Sequence, residues 1–243
     1  EHKDYPSFRS QEGATVFWQR DFEGKIRSGK IMLFNEHTVK RIKEPFDHIT
    51  WVHSALKIPA SNLKQCLFGE HLLIDSKPVA IVESEKTAII ASVYFPQFTW
   101  LATGGVNGLT KDKCETLNKH GLHVVLFPDI SIVKNSKETV LELWSRIAEK
   151  HLTSYAVSEI LQNRATEEQK KEGLDIADYL INFTPEQFRN DFNQAKPVDT
   201  YDYPEQWDTP VTIKQKESIL DQFISINPTL LKLISNLNLI PVN

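Results

Sequence analysis

Val79-Ala80-Ile81-Val82-Glu83-Ser84-Glu85-Lys86-Thr87-Ala88 begins as an unbroken apolar run and stops on an acid. A short run without polar alternation reads as a strand covered on both faces, the situation of strands in parallel sheets flanked by helices. From Lys86 to Phe95 the spacing turns helical. The stretch is therefore a strand, a tight turn carrying acids, and a helix.

The same unit recurs downstream. Thr99-Trp100-Leu101-Ala102 is a second apolar run, followed by a helical stretch from Lys111 to Lys119 that Gly121 closes. His123-Val124-Val125-Leu126-Phe127 is a third, followed by an amphipathic stretch from Lys137 to Lys150 with Val140, Leu143, Trp144, Ile147 and Ala148 on one face. Strand and helix alternating in this way predict an α/β fold, a parallel sheet with right-handed crossovers and helices on both faces. Ser154 to Ile160 is a candidate fourth strand, Arg164 to Glu172 an exposed linker or helix, and Leu174 to Ile181 a half-apolar helix. Beyond the proline-marked segment from Pro197 to Pro210, Ile219 to Ile226 and Leu230 to Leu237 predict a helical tail with no chemistry of its own.

Upstream, Thr15 to Arg20 and Ile26 to Phe34 read as strands of a hairpin around Asp21-Phe22-Glu23-Gly24. Arg20, Lys25, Arg27, Lys30, Lys40, Arg41 and Lys43 make this part more basic than the chain average. The expected organisation is a small β lobe over residues 1–77, the α/β domain over 78–182 and a helical extension over 183–243.

Composition limits the functional classes. The 243 residues, 40% hydrophobic and 25% charged, suffice for a folded core and lack the signature of disorder. A net charge of −4 excludes coating of duplex DNA by bulk electrostatics, so any nucleic-acid contact is local. Two cysteines, Cys66 and Cys114, are too few for a zinc cluster or a disulfide framework. No run approaches the roughly 18 apolar residues of a membrane span, and Glu1-His2-Lys3-Asp4 is no signal peptide, which together predict a cytoplasmic protein. A chain opening on Glu1 rather than Met is expected to have lost an upstream segment.

In an open parallel sheet, ligands bind beyond the carboxyl ends of the strands. Glu83 follows the first apolar run, Asp129 the third, and Asp175 and Asp178 stand at the start of the last helix of the domain. Any one of these acids is ordinarily a helix cap. Several at one sheet edge suit Mg²⁺, which binds through one or two carboxylates and keeps much of its water.

Four segments carry a family resemblance. Val79 to Ala88 resembles the first Toprim motif, a strand ending in Glu. Ala102-Thr103-Gly104-Gly105-Val106-Asn107-Gly108-Leu109 resembles the glycine-bearing loop after the second Toprim strand. Val125-Leu126-Phe127-Pro128-Asp129 is similar to the third strand and its Asp, and Gly173-Leu174-Asp175-Ile176-Ala177-Asp178-Tyr179-Leu180 to the closing segment. They come in the family's order, and the preceding hairpin resembles the small lobe before Toprim in bacterial primases. The resemblance is to primase-like Toprim proteins of plasmids or mobile elements, which often carry an N-terminal zinc-binding domain. It implies a DNA primase-like nucleotidyltransferase, with Glu83 as a general acid or base or a metal ligand, and Asp129 holding Mg²⁺ together with Asp175 or Asp178. DNA, including single strands, nucleotides and a replication helicase are the implied partners. Lys86 would touch a phosphate, while Arg20, Arg27 and Lys30 would guide a strand.

The chain departs from that pattern at Ser84, where Gly is usual, and at Thr87 and Ser131, where acids are usual. A hydroxyl offers Mg²⁺ no charge, so a non-catalytic module binding DNA or a partner protein stands beside the catalytic reading, as does a Toprim-type nuclease. Gly104-Gly105 lacks the Gly-Lys-Ser/Thr of a P-loop and reads as a tight turn. Phe17, Trp18, Phe22 and Phe34 are base-stacking candidates for which burial in the small lobe is the plainer reading.

Overall fold

The computed structural model describes residues 14–35, 40–44, 47–57, 63–73 and 77–188. Its strands are β1 (Thr15–Arg20), β2 (Ile26–Met32), β3 (Ile49–Trp51), β4 (Val79–Val82), β5 (Thr99–Ala102), β6 (Val124–Leu126) and β7 (Tyr155–Val157). Its helices are α1 (Val52–Ala55), α2 (Glu85–Tyr94), α3 (Lys111–Lys119), α4 (Val140–His151), α5 (Ile160–Arg164), α6 (Glu167–Glu172) and α7 (Ile176–Leu180).

β4 to β7 form one sheet in the order β5-β4-β6-β7, with every pair parallel. All four residues of β4 are fully buried, which explains its lack of polar alternation. Val79 and Ile81 face a cluster containing Cys114 and Leu117 of α3 and Leu143 and Trp144 of α4. Ala80 and Val82 face the opposite cluster, with Ala88 and Ala91 of α2 and Ile176 and Leu180 of α7. The doubly covered parallel sheet expected from the sequence is present.

This topology puts a crevice at one place. β4 leads into α2 on one face of the sheet, whereas its neighbour β6 leads to α4 on the other. Connections diverging from adjacent strands open the switch-point crevice in which α/β sheets bind ligands. Glu83 and Asp129 follow those two strands.

The small lobe is an antiparallel sheet in the order β1-β2-β3. Asp21 shapes the hairpin turn by accepting the Lys25 amide at 2.8 Å and pairing with Arg27 at 2.6 Å. Glu70 ties the turn to the segment before β4, accepting amides from Phe22 and Leu67. That segment also pairs Phe68 with Ala102 on the edge strand β5.

Some boundaries differ from the sequence expectation. β2 ends at Met32, and Phe34 instead forms an isolated bridge with Arg41. α4 starts at Val140 rather than Lys137, because Thr139 and Glu142 form a capping box and Thr139 bridges back to Ile132. Of the charged run, Arg164 closes α5 and Glu167–Glu172 form α6, capped by Thr166 and Gln169. β3 follows a stretch that gave no strand signal. The packing of the α/β unit extends to Phe188, whose ring meets Tyr94 and Phe95. The helical tail expected around Ile219 to Leu237 lies outside the described residues.

Cys66 and Cys114 are buried free thiols, pushed up by burial to about 12 and about 11. Among the described residues no helix is long and apolar enough to cross a membrane.

Candidate metal and nucleic-acid site

Glu83 and Asp129 stand at the switch-point crevice, close enough for each carboxyl to act on the other. Burial pushes the Glu83 carboxyl above its usual range; the neighbouring Lys30 ammonium and the Asp129 side chain oppose the rise, the Asp175 charge adds to it, and the Val106 amide opposes it further. The Asp129 carboxyl is raised well above its ordinary value, first by burial and then by the charges of Glu83, Asp175 and Asp178. Asp129 Oδ1 is buried without a hydrogen-bond partner, although the residue as a whole keeps partial exposure. A buried carboxylate oxygen with no donor is costly unless a proton or cation meets it.

Asp175 is already engaged. It caps α7, with Oδ1 accepting the Asp178 amide at 2.8 Å, and its Oδ2 accepts the Thr87 hydroxyl at 2.8 Å. Thr87, at a position where the resembling family has an acid, thus fastens α2 to the start of α7. Burial raises the Asp178 carboxyl, as does the Asp175 charge, against the pull of Lys86, whose Nζ lies 3.8 Å from Asp178 Oδ1.

The basic residues divide into two groups. Lys30 reaches from β2 into the α/β unit, where its ammonium contacts Glu85 Oε2 at 3.1 Å and donates to the Gly104 carbonyl at 2.9 Å. Lys86 borders the acids through Asp178. Arg20 and Arg27 stay with the hairpin turn, Arg20 donating to the Gly24 carbonyl and Arg27 to Asp21. The four acids singled out from the sequence therefore act on one another electrostatically, joined by Lys30 and Lys86 but not by the two arginines.

The Thr103 to Gly108 loop links the acids to the small lobe. Its Gly104 amide donates to the Glu83 carbonyl at 2.9 Å, and its Val106 lies beside the Glu83 carboxyl. Gly108 is required sterically, since a Cβ there would lie 2.3 Å from the Thr103 carbonyl oxygen. Lys113 of α3 clamps both ends of the loop, donating to the carbonyls of Thr103 and Gly108. Between loop and lobe lies a cleft of about 470 Å³.

Sequence reasoning missed Glu85, Lys113 and Gln19. Glu85 is 1% exposed despite standing in a helix's first turn, a position normally read as a solvated acid favouring the helix dipole. Gln19 carried a usable signal: it shares the inward register of β1 with buried Phe17, so a polar side chain stands on the apolar face.

The donor set is all oxygen, and two carboxyls with one orphaned oxygen suit a magnesium ion that keeps most of its water. Among the described residues, no three His, Cys, Asp or Glu side chains gather as a ready-made cation cage.

No curated protein matches the chain. Among solved structures, it is similar to the primase fragment of the bacteriophage T7 primase-helicase protein, at 16% identity and TM-score 0.42, covering 75% of this chain and 62% of that one. It is also similar to the DnaG catalytic core, at 14% identity and TM-score 0.41 over 70% of this chain and 56% of that one. A third is the DnaG primase catalytic domain bound to ssDNA, at 14% identity and TM-score 0.40, covering 79% and 58%. The chain thus spans less than two thirds of the length of these structures. A family model described as Domain of unknown function (DUF6371) matches residues 6–130, about half of the chain, and the protein belongs to that family.

Proposed function

We propose that this is a Toprim-type, primase-like protein that binds DNA and uses Mg²⁺, held by Glu83 and Asp129, for phosphoryl transfer. The supporting observation is the neighbouring Glu83 and Asp129 carboxyls at the switch point, both raised by burial, with Asp129 Oδ1 unpartnered. Two buried carboxyls in contact resist ionising together unless a cation joins them. Magnesium there would supply positive charge to a phosphoryl centre and orient its oxygens. Asp175, fixed by Thr87 and the α7 amide, adds negative potential at the pair, and Asp178 holds Lys86 at the rim, where its ammonium can meet a phosphate.

Calorimetric titration of Mg²⁺ and Mn²⁺ into the wild type, Glu83→Gln and Asp129→Asn tests the reading. Saturable binding lost in both variants supports it and justifies assays of primer synthesis and nicking. No heat at millimolar metal, with and without DNA, overturns the metal-dependent reading.

A second reading, a Toprim-shaped module that binds DNA or a partner protein without catalysis, draws support from Thr87 and Ser131. Both stand where the resembling family has acids, and Thr87 is committed to Asp175. Metal binding without turnover would favour it.

A further inference from the structure

The cleft between the small lobe and the Thr103 to Gly108 loop lies beside the acid cluster and shares Gly104 and Val106 with it. In antiparallel pairs, residues directly opposite share one face. Gln19 lies opposite Ser28, Phe17 opposite Lys30, and Lys30 opposite Trp51. Gln19, Lys30 and Trp51 therefore sit on the same side of the three-stranded sheet, the side from which Lys30 reaches Gly104. Trp51 and Gln19 line one wall of the cleft. Gln65, Asn107 and Lys113 join the loop in lining the rest, and no carboxylate contributes.

The position of Gln19 is anomalous for a structural residue. It is 3% exposed, it lines the cleft, and its Oε1 is buried without a hydrogen-bond partner. An amide oxygen shut away from water and left unsatisfied is a standing cost. A ligand bringing a donor to that oxygen would remove it. Trp51 is half-buried, so part of its indole is open to contact. The cleft volume lies within the range of small-ligand sites.

An aromatic platform, side-chain amides that both donate and accept, and one cation without a carboxylate suit a planar, uncharged heterocycle joined to an anion. We infer that this cleft takes one nucleobase, stacked on Trp51 and read along its hydrogen-bonding edge by Gln19 and Gln65, with its phosphate towards Lys113. The inference rests on the nucleic-acid reading above and adds a base-selecting pocket to it. The base belongs either to a strand or to a free nucleotide, and the chemistry of the pocket is common to both.

Fluorescence anisotropy of labelled homopolymeric dodecamers of dA, dC, dG and dT, with the full chain, tests this. The wild type should bind the four unequally. Gln19→Leu should bring the affinities together, weakening the preferred one about tenfold, because a bidentate amide contact discriminates bases on that scale. Trp51→Ala should weaken all four about tenfold or more, and Trp51→Phe should retain most of the binding. Free nucleoside triphosphates of the preferred base displace the label if the pocket takes a nucleotide, and fail to do so if it takes a strand; either result supports the inference once Gln19→Leu has abolished the preference. Strand binding that stays within twofold of wild type in both Gln19→Leu and Trp51→Ala overturns the pocket and leaves the nucleic-acid reading standing. A wild type that binds neither strand nor nucleotide overturns both. Photo-cross-linking of a 5-iodouracil-bearing strand to the unaltered chain needs no variant to fold: adducts on Trp51 support the pocket, and adducts only outside the cleft overturn it.

Discussion

Lys30 Nζ on β2 lies 3.1 Å from Glu85 Oε2 in the first turn of α2, and the two side chains are only 11% and 2% exposed. This ion pair joins the small lobe to the α/β sheet beside the acid cluster. Removing one partner of a buried pair strands the other charge in low dielectric, at a cost of about 3–5 kcal/mol. Lys30→Met should therefore destabilise the protein by that amount, and Lys30→Met combined with Glu85→Leu by clearly less. Urea denaturation of the two single variants and the double variant would check this; additive losses would show that the pair is not coupled.

The Lys30 to Glu85 contact also marks where sequence reading stops. Strand β4 and its helix were legible because burial on both faces writes itself into a local apolar run, and α3 and α4 because one face of each is periodic. The acids were legible because a strand's carboxyl end is a local position. Lys30 and Glu85 are 55 residues apart, and nothing in either segment announces that both are buried. Likewise β3 is three residues long and exists through pairing with β2, a non-local condition that propensity does not encode. Thr87 read as a missing ligand because its hydrogen bond to Asp175 spans 88 residues.

Loss of the Thr87 hydroxyl should be felt at α7. Its bond to Asp175 Oδ2 is 2.8 Å long and Thr87 is fully buried. Hydrogen bonds to charged groups contribute about 1.5–3 kcal/mol, so Thr87→Val should lower stability by about that much. Hydrogen exchange should rise over Ile176 to Leu180 more than over α4. Uniform loss of protection across both helices would show that Thr87 does not act locally through Asp175.

The Glu83 and Asp129 carboxyls set the pH dependence. Both are raised in the folded state, so the fold binds protons more tightly than the unfolded chain. The stability they contribute is fully present below the ordinary carboxylate range and is lost as pH rises through their raised values. As pH rises from the ordinary carboxylate range through the raised Asp129 value, wild-type stability should fall relative to Asp129→Asn, which cannot ionise. Mg²⁺ should restore the wild type at the upper end and leave Asp129→Asn unchanged. Parallel pH dependences for the two proteins would show that Asp129 is not the titrating group.

Arg27 and Lys86 should separate fold from binding. Burial pushes the Asp21 carboxyl up, but the Lys25 amide and the Arg27 guanidinium together overcome this and hold it below the usual range. Arg27, paired with Asp21 at 2.6 Å, is thereby committed to the hairpin turn. Lys86 has only a loose contact, 3.8 Å from an Asp178 side chain that is 40% exposed. Partly exposed pairs of that kind contribute about 0–1 kcal/mol, so the ammonium is free to exchange Asp178 for a phosphate. Arg27→Ala should lower the stability of the lobe while leaving the salt dependence of DNA binding intact. Lys86→Gln should change stability by less than about 1 kcal/mol and reduce the slope of log affinity against log salt by about one phosphate contact. Anisotropy titrations across a salt series, paired with thermal melts, would check both. The reverse pattern would place the strand over the hairpin turn and away from the acid cluster.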